Sequence, residues 1–143
     1  MVKRQILKFQ LLDKKAKLPL YDHPDDAAFG IFSIEKKILK PGEFYAVATG
    51  IASEIPVDNF VSIRDRSSMA VKGLHALGGV IDAGYRGEWK VIMINLGKEK
   101  YKISVGDKIA QGILHESAQA DIKYVKKISE TKRGKNGFGS TGK

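Results

Sequence analysis

The sequence predicts an all-β protein, a sandwich or barrel carrying one short helix and ending in a flexible, glycine-rich tail. Three observations carry that expectation: β-forming runs are short, turn signals separate them at roughly eight to twelve residues, and only one segment has helix start and stop signals. The chain of 143 residues suits a single core, so residues 1–130 read as a β domain and residues 131–143 as its tail.

The first strand falls in Val2 to Leu12, and Pro19, Asp22, Pro24, Asp25 and Asp26 then break regular structure. Ala27 to Ser33 is a compact apolar segment. Glu35 to Leu39 leads into Lys40-Pro41-Gly42-Glu43, where Pro-Gly suits the central positions of a type II turn. Phe44 to Ile51 is rich in β-formers. Arg66 to Gly73 is the helix, with a serine as N-cap and a glycine at its end. Its first turn would aim free amides, two hydroxyls and Arg66 at one spot, which suits an anion as well as it suits plain capping.

Gly78 to Glu88 combines a short apolar run with a glycine-rich turn bearing Asp82, Tyr85 and Arg86. This is the build of a hairpin that holds a ligand, because glycines let a ligand lie against bare backbone. Trp89 to Asn95 reads as a largely buried strand, Tyr101 to Val105 as an alternating one, and Lys108 to Leu114 as another. Gln111 is the odd polar member there, and by itself such a residue faces solvent. Ile122 to Ile128 is a last strand or an extended arm.

Composition narrows the function classes. Without cysteine there is no disulfide, thiolate metal site or thiol nucleophile. The 25 Lys and Arg against 16 Asp and Glu give a net charge of +9, which favours a polyanionic partner. The basic residues lack interleaved aromatics, so a nucleic-acid strand is poorly supported. No apolar run suits a membrane span, and Met1 to Leu12 alternates charge with aliphatics unlike a signal peptide, so a cytoplasmic location is expected. His23, His75 and His115 lack metal-ligand spacing. In the tail, Gly134-x4-Gly139 mimics a phosphate loop, but Ser140 stands where the lysine belongs and no strand-to-helix frame surrounds it.

Four segments together carry a resemblance. Arg66-Ser67-Ser68-Met69-Ala70, Gly79 through Glu88, Gly106-Asp107-Lys108-Ile109-Ala110-Gln111 and Arg133-Gly134 with Gly137 through Gly142 resemble four of the five motifs of the trimeric dUTP diphosphatase (dUTPase) family, in order. Pro41-Gly42-Glu43, Ala48 to Ile51 and Ile55-Pro56 match framework positions. The resemblance implies a distorted jelly-roll or β-clip barrel and a homotrimer whose active sites draw on three subunits. It implies hydrolysis of dUTP to dUMP and pyrophosphate, with Asp82 activating the water that attacks the α-phosphorus. Gly79, Val80, Ile81 and Lys90 would form the uracil pocket through main-chain groups, and Tyr85 would pack under the deoxyribose where a ribose 2′-hydroxyl would need room. Arg66, Ser67, Ser68 and Gln111 would bind phosphate oxygens. In the tail, Phe138 would stack on uracil while Arg133, Gly139, Ser140 and Thr141 close over the triphosphate. Mg²⁺ would be held mainly by the triphosphate and water.

Motif one departs from the family pattern. Ala27-Ala28-Phe29-Gly30-Ile31 has Gly30 where the family has an aspartate tied to the hydrated metal, with Asp25 or Asp26 as replacements from the adjoining loop. Two other readings follow: a non-catalytic nucleotide-binding or regulatory homologue, and the related dCTP deaminase. Against the deaminase, the position of its catalytic glutamate falls on Ile92, which cannot shuttle a proton.

Overall fold

In the computed structural model, which describes residues 4–140 and Gly142, antiparallel strands account for nearly all regular structure. The elements run β1 (Lys8–Leu11), β2 (Phe29–Phe32), β3 (Lys37–Leu39), β4 (Phe44–Ala48), β5 (Ile51–Glu54) and β6 (Asn59–Arg64). The single-turn helix α1 (Ser67–Ala70) follows, then β7 (Leu74–Leu77), β8 (Val80–Asp82), β9 (Lys90–Asn95), β10 (Tyr101–Ile103) and β11 (Lys108–Glu116). They pair as a four-stranded sheet β2-β11-β6-β8, a three-stranded sheet β4-β9-β7, and the ribbons β1-β5 and β10-β3. The all-β expectation holds, and no helix among the described residues is long and apolar enough to cross a membrane.

Phe44 to Ile51 divides into β4 and the start of β5 at Gly50, whose φ of 67° is open to glycine. The Pro41-Gly42 turn forms as its sequence suggests: Gly42 has φ 81° and the Glu43 amide donates to the Lys40 carbonyl at 2.9 Å. Two local expectations need correction. Ser67 is not the helix cap; Arg66 holds that position in extended conformation and makes no side-chain capping bond. The segment around Asp82 is not a hairpin, because β8 pairs with β6 while β9 pairs with β4 and β7. The glycine-rich turn therefore carries the chain from one sheet to the other. Of the two readings for Ile122 to Ile128, the exposed arm is the one that forms.

The core lies between the sheets and centres on Trp89, which is completely buried. Its ring meets Phe9 edge-on at 5.2 Å between centroids and its indole N–H donates to the Ser53 hydroxyl at 3.1 Å. Ile31, Leu39, Val47, Val61, Leu74, Met93, Ile103 and Ile109 fill the space around it. In β9, Val91, Met93 and Asn95 point inward while Lys90 and Ile92 point out, so this strand is buried on one face and not on both. Trp89→Ala leaves a cavity that so many β-branched neighbours cannot close. It is expected to cost about 3–5 kcal/mol, read as a lower denaturant midpoint at unchanged slope.

Candidate active site

Strand β11 brings the first cluster together. It lies between β2 and β6, with Gln111 opposite Gly30 on one side and Arg64 on the other. Just past Arg64 the chain leaves β6 and presents Arg66, Ser67 and Ser68. These three line a cleft of about 500 Å³ with Gln111, Gly30, Lys108, Asp22 and Asp26. Gln111 is half-buried, contrary to its solvent-facing expectation as a lone polar residue, and its amide donates to the Asp65 carbonyl at 2.8 Å. Arg66 is aimed by a 2.8 Å hydrogen bond from Nη1 to the Lys108 carbonyl. The Ser67 and Ser68 amides make no hydrogen bond among the described residues, and both residues are exposed. The result is a concave surface of donors suited to anionic oxygens.

Two carboxylates share this cleft. Asp22 pairs with the Lys108 ammonium, whose hydrogen bond and positive charge hold the Asp22 carboxyl below its ordinary range against a weaker opposing effect of burial. Asp26 accepts the His23 amide at 2.9 Å. Asp26 is thus one of the two loop acids expected here, Asp25 is not among the lining residues, and Asp22 takes a place the sequence did not point to. Among the described residues no three His, Asp or Glu side chains stand close enough to hold a metal. Asp22 and Asp26 by themselves do not make a ligand set for a bare divalent cation.

A second recess, of about 650 Å³, opens where β8 and β9 part toward their separate sheets. Ala46, Val80, Ile81, Asp82, Tyr85, Glu88, Lys90 and Ile92 line it. Strand alternation explains the set: Val80 and Asp82 face outward around buried Ile81, as Lys90 and Ile92 do around Val91. Asp82 is exposed, and its carboxylate accepts no hydrogen bond among the described residues. The Tyr85 hydroxyl donates to the Glu88 carbonyl at 3.0 Å, laying the ring against Gly87, where a Cβ would stand 2.4 Å from the hydroxyl. Glycine at position 87 is therefore a condition for that ring position.

Other expected residues serve the frame. Gly79, at φ 99°, does not line the recess; its carbonyl accepts the Ile63 amide at 2.7 Å. Arg86 donates to the carbonyls of Ala83, Tyr85 and Ser53 and clamps its own loop instead of facing the recess. Arg133, Phe138, Gly139 and Ser140 line neither cavity. Phe138 is fully exposed, and Thr141 lies outside the described residues. Ala46, Glu88, Ile92, Asp22 and Lys108 are lining residues that sequence reasoning missed.

Fold and site together define an all-β protein with a donor-lined cleft of mixed charge and a separate apolar-walled recess bearing a free carboxylate. The dUTPase family profile matches residues 14–142. The deoxyuridine 5′-triphosphate nucleotidohydrolase of Clostridium tetani is 46% identical over 140 residues, covering 96% of this chain and 97% of that protein; the Nautilia profundicola enzyme of the same name is 44% identical, covering 96% and 99%. Among solved structures, the Staphylococcus bacteriophage 80alpha dUTPase with dUpNHpp superposes with a TM-score of 0.90 at 28% identity, covering 97% of this chain and 99% of that one. The D95N mutant dUTPase of the S. aureus phage phi11, described with a structural Mg(II) ion, gives a TM-score of 0.81 at 27% identity, covering 86% and 98%. The chain belongs to the dUTPase family.

Proposed function

We propose that this protein hydrolyses dUTP to dUMP and pyrophosphate, with Asp82 as the group that activates water. The carrying observation is the Asp82 carboxylate itself, exposed at the lip of a nucleoside-sized recess with no internal partner to occupy it. A carboxylate in that setting is available to accept a proton. Water oxygen bonds to the α-phosphorus, its proton passes to Asp82, and the bond from the α-phosphorus to the bridging oxygen breaks as pyrophosphate leaves.

Uracil and deoxyribose occupy the β8–β9 recess, with the ring of Tyr85 under the sugar. The triphosphate is held by Arg66, Ser67, Ser68 and Gln111, donors that are preorganised for oxygen atoms. No metal-ligand cluster stands among the described residues, so Mg²⁺ would be carried by the triphosphate oxygens and would supply charge neutralisation for the hydroxide-like nucleophile and the leaving pyrophosphate. The two cavities share no lining residue within one chain, which supports a homotrimer in which the recess of one copy faces the cleft of another. The tail, with Arg133, Phe138, Gly139, Ser140 and Thr141, then closes over the occupied site and excludes other water.

Pyrophosphate release from Mg·dUTP tests the activity: turnover well above that on dTTP and dCTP is expected, and its absence defeats the reading. Sugar selectivity follows from Tyr85. Tyr85→Ala is expected to raise kcat/KM for UTP relative to dUTP by about tenfold or more, because the ring no longer fills the 2′-hydroxyl space. Unchanged discrimination would place the gate elsewhere.

A further inference from the structure

We infer that Lys108 is a contact for the outer phosphates of the triphosphate, paired with the Asp22 carboxylate until a phosphate oxygen displaces it and given its place by a β-bulge and by Gly30; the assignment rests on the phosphate-cleft reading above. In a regular strand, residues three apart point to opposite faces. Lys108 and Gln111 nevertheless line the same cleft. The reason is a register shift in the β11–β2 ladder: Lys108 pairs with Phe32 and Ala110 with Ile31, leaving Ile109 as the additional residue. A bulge of this kind re-aims a side chain, and here it turns a lysine toward the face that Gln111 already occupies.

Gly30 then supplies the path for the lysine stem. A Cβ at position 30 would stand 2.8 Å from Lys108 Cε and 3.0 Å from Cδ, so the stem lies across the glycine where any larger residue would displace it. The ammonium ends on the Asp22 carboxylate. Asp22 is half-exposed while the Lys108 side chain is mostly covered, which makes this a rim ion pair of small net worth. A phosphate oxygen, with more charge and several acceptors, can take the ammonium from it without moving the backbone. Arg66 is bound to the carbonyl of this same lysine, so guanidinium and ammonium flank one stretch of the cleft. With the α-phosphorus placed at Asp82 in the recess, the donors of the cleft are left for the phosphates farther from the sugar.

The test is calorimetric titration of full-length protein with Mg·dUpNHpp and, separately, with dUMP. Lys108→Met keeps the stem over Gly30 and removes only the charge. It is expected to weaken dUpNHpp by about tenfold or more while leaving dUMP within about threefold. Asp22→Asn is expected to leave dUpNHpp affinity unchanged or improved, since it frees the ammonium. Equal losses for both ligands in Lys108→Met, or a loss of dUpNHpp in Asp22→Asn matching that of Lys108→Met, would make the pair structural and overturn the assignment. Wild-type protein that fails to bind dUpNHpp would instead overturn the reading of the cleft itself.

Discussion

Asp82→Asn is expected to lower kcat for pyrophosphate release by about 10²–10⁴-fold while changing the affinity for dUpNHpp little. The substitution is nearly isosteric, and the Asp82 side chain takes part in no hydrogen bond among the described residues that asparagine would break. Its strand stays anchored through buried Ile81 and through pairing with β6. The thermal midpoint should therefore hold while turnover collapses. Stopped-turnover assays with Mg·dUTP, run beside binding measurements, separate the two effects. Equal and negligible rates in the native and substituted proteins, with binding intact, would favour the non-catalytic homologue that Gly30 brings to mind.

Deleting residues 133–143 is the second large effect. The described tail packs on neither cavity and Phe138 is fully exposed, so its removal should leave the unfolding midpoint where it is. Turnover should fall by at least about 10²-fold, the scale of losing a preorganised phosphate donor, because Arg133, Ser140 and Thr141 no longer close on the triphosphate and Phe138 no longer covers the base. Substituting Phe138→Ala alone should reproduce part of the loss through KM. Unchanged turnover after deletion would remove the tail from the reaction.

Periodicity and turn chemistry made the strands legible. Pro41-Gly42, the alternation of Tyr101 to Ile103 and the apolar run of β2 each express a local rule, and each appears in the fold. Pairing was not legible, because it depends on contacts distant along the chain. The turn at Ala83 to Gly87 has the chemistry of a hairpin, yet it joins two sheets since β8 finds β6 and β9 finds β4 and β7. The resemblance to the family's motifs implied that Arg66, Ser67, Ser68 and Gln111 act together, and the folded chain lines one cleft with all four. Lys108 stayed hidden because its direction depends on a bulge, which changes facing by one residue without a sequence mark. Asp22 stayed hidden because only the folded loop sets it opposite that lysine. Gly79 was expected in the recess on motif grounds, whereas its carbonyl is already committed to Ile63.

A crystal structure with Mg·dUpNHpp tests the central claim most directly. The account predicts uracil in the β8–β9 recess, a water within about 2.6–3.2 Å of the Asp82 carboxylate and in line with the α-phosphorus, and phosphate oxygens on Arg66, Ser67 and Gln111 of a neighbouring copy. An occupied recess with Asp82 turned away from that phosphorus, or a nucleotide bound without either cavity, would contradict it.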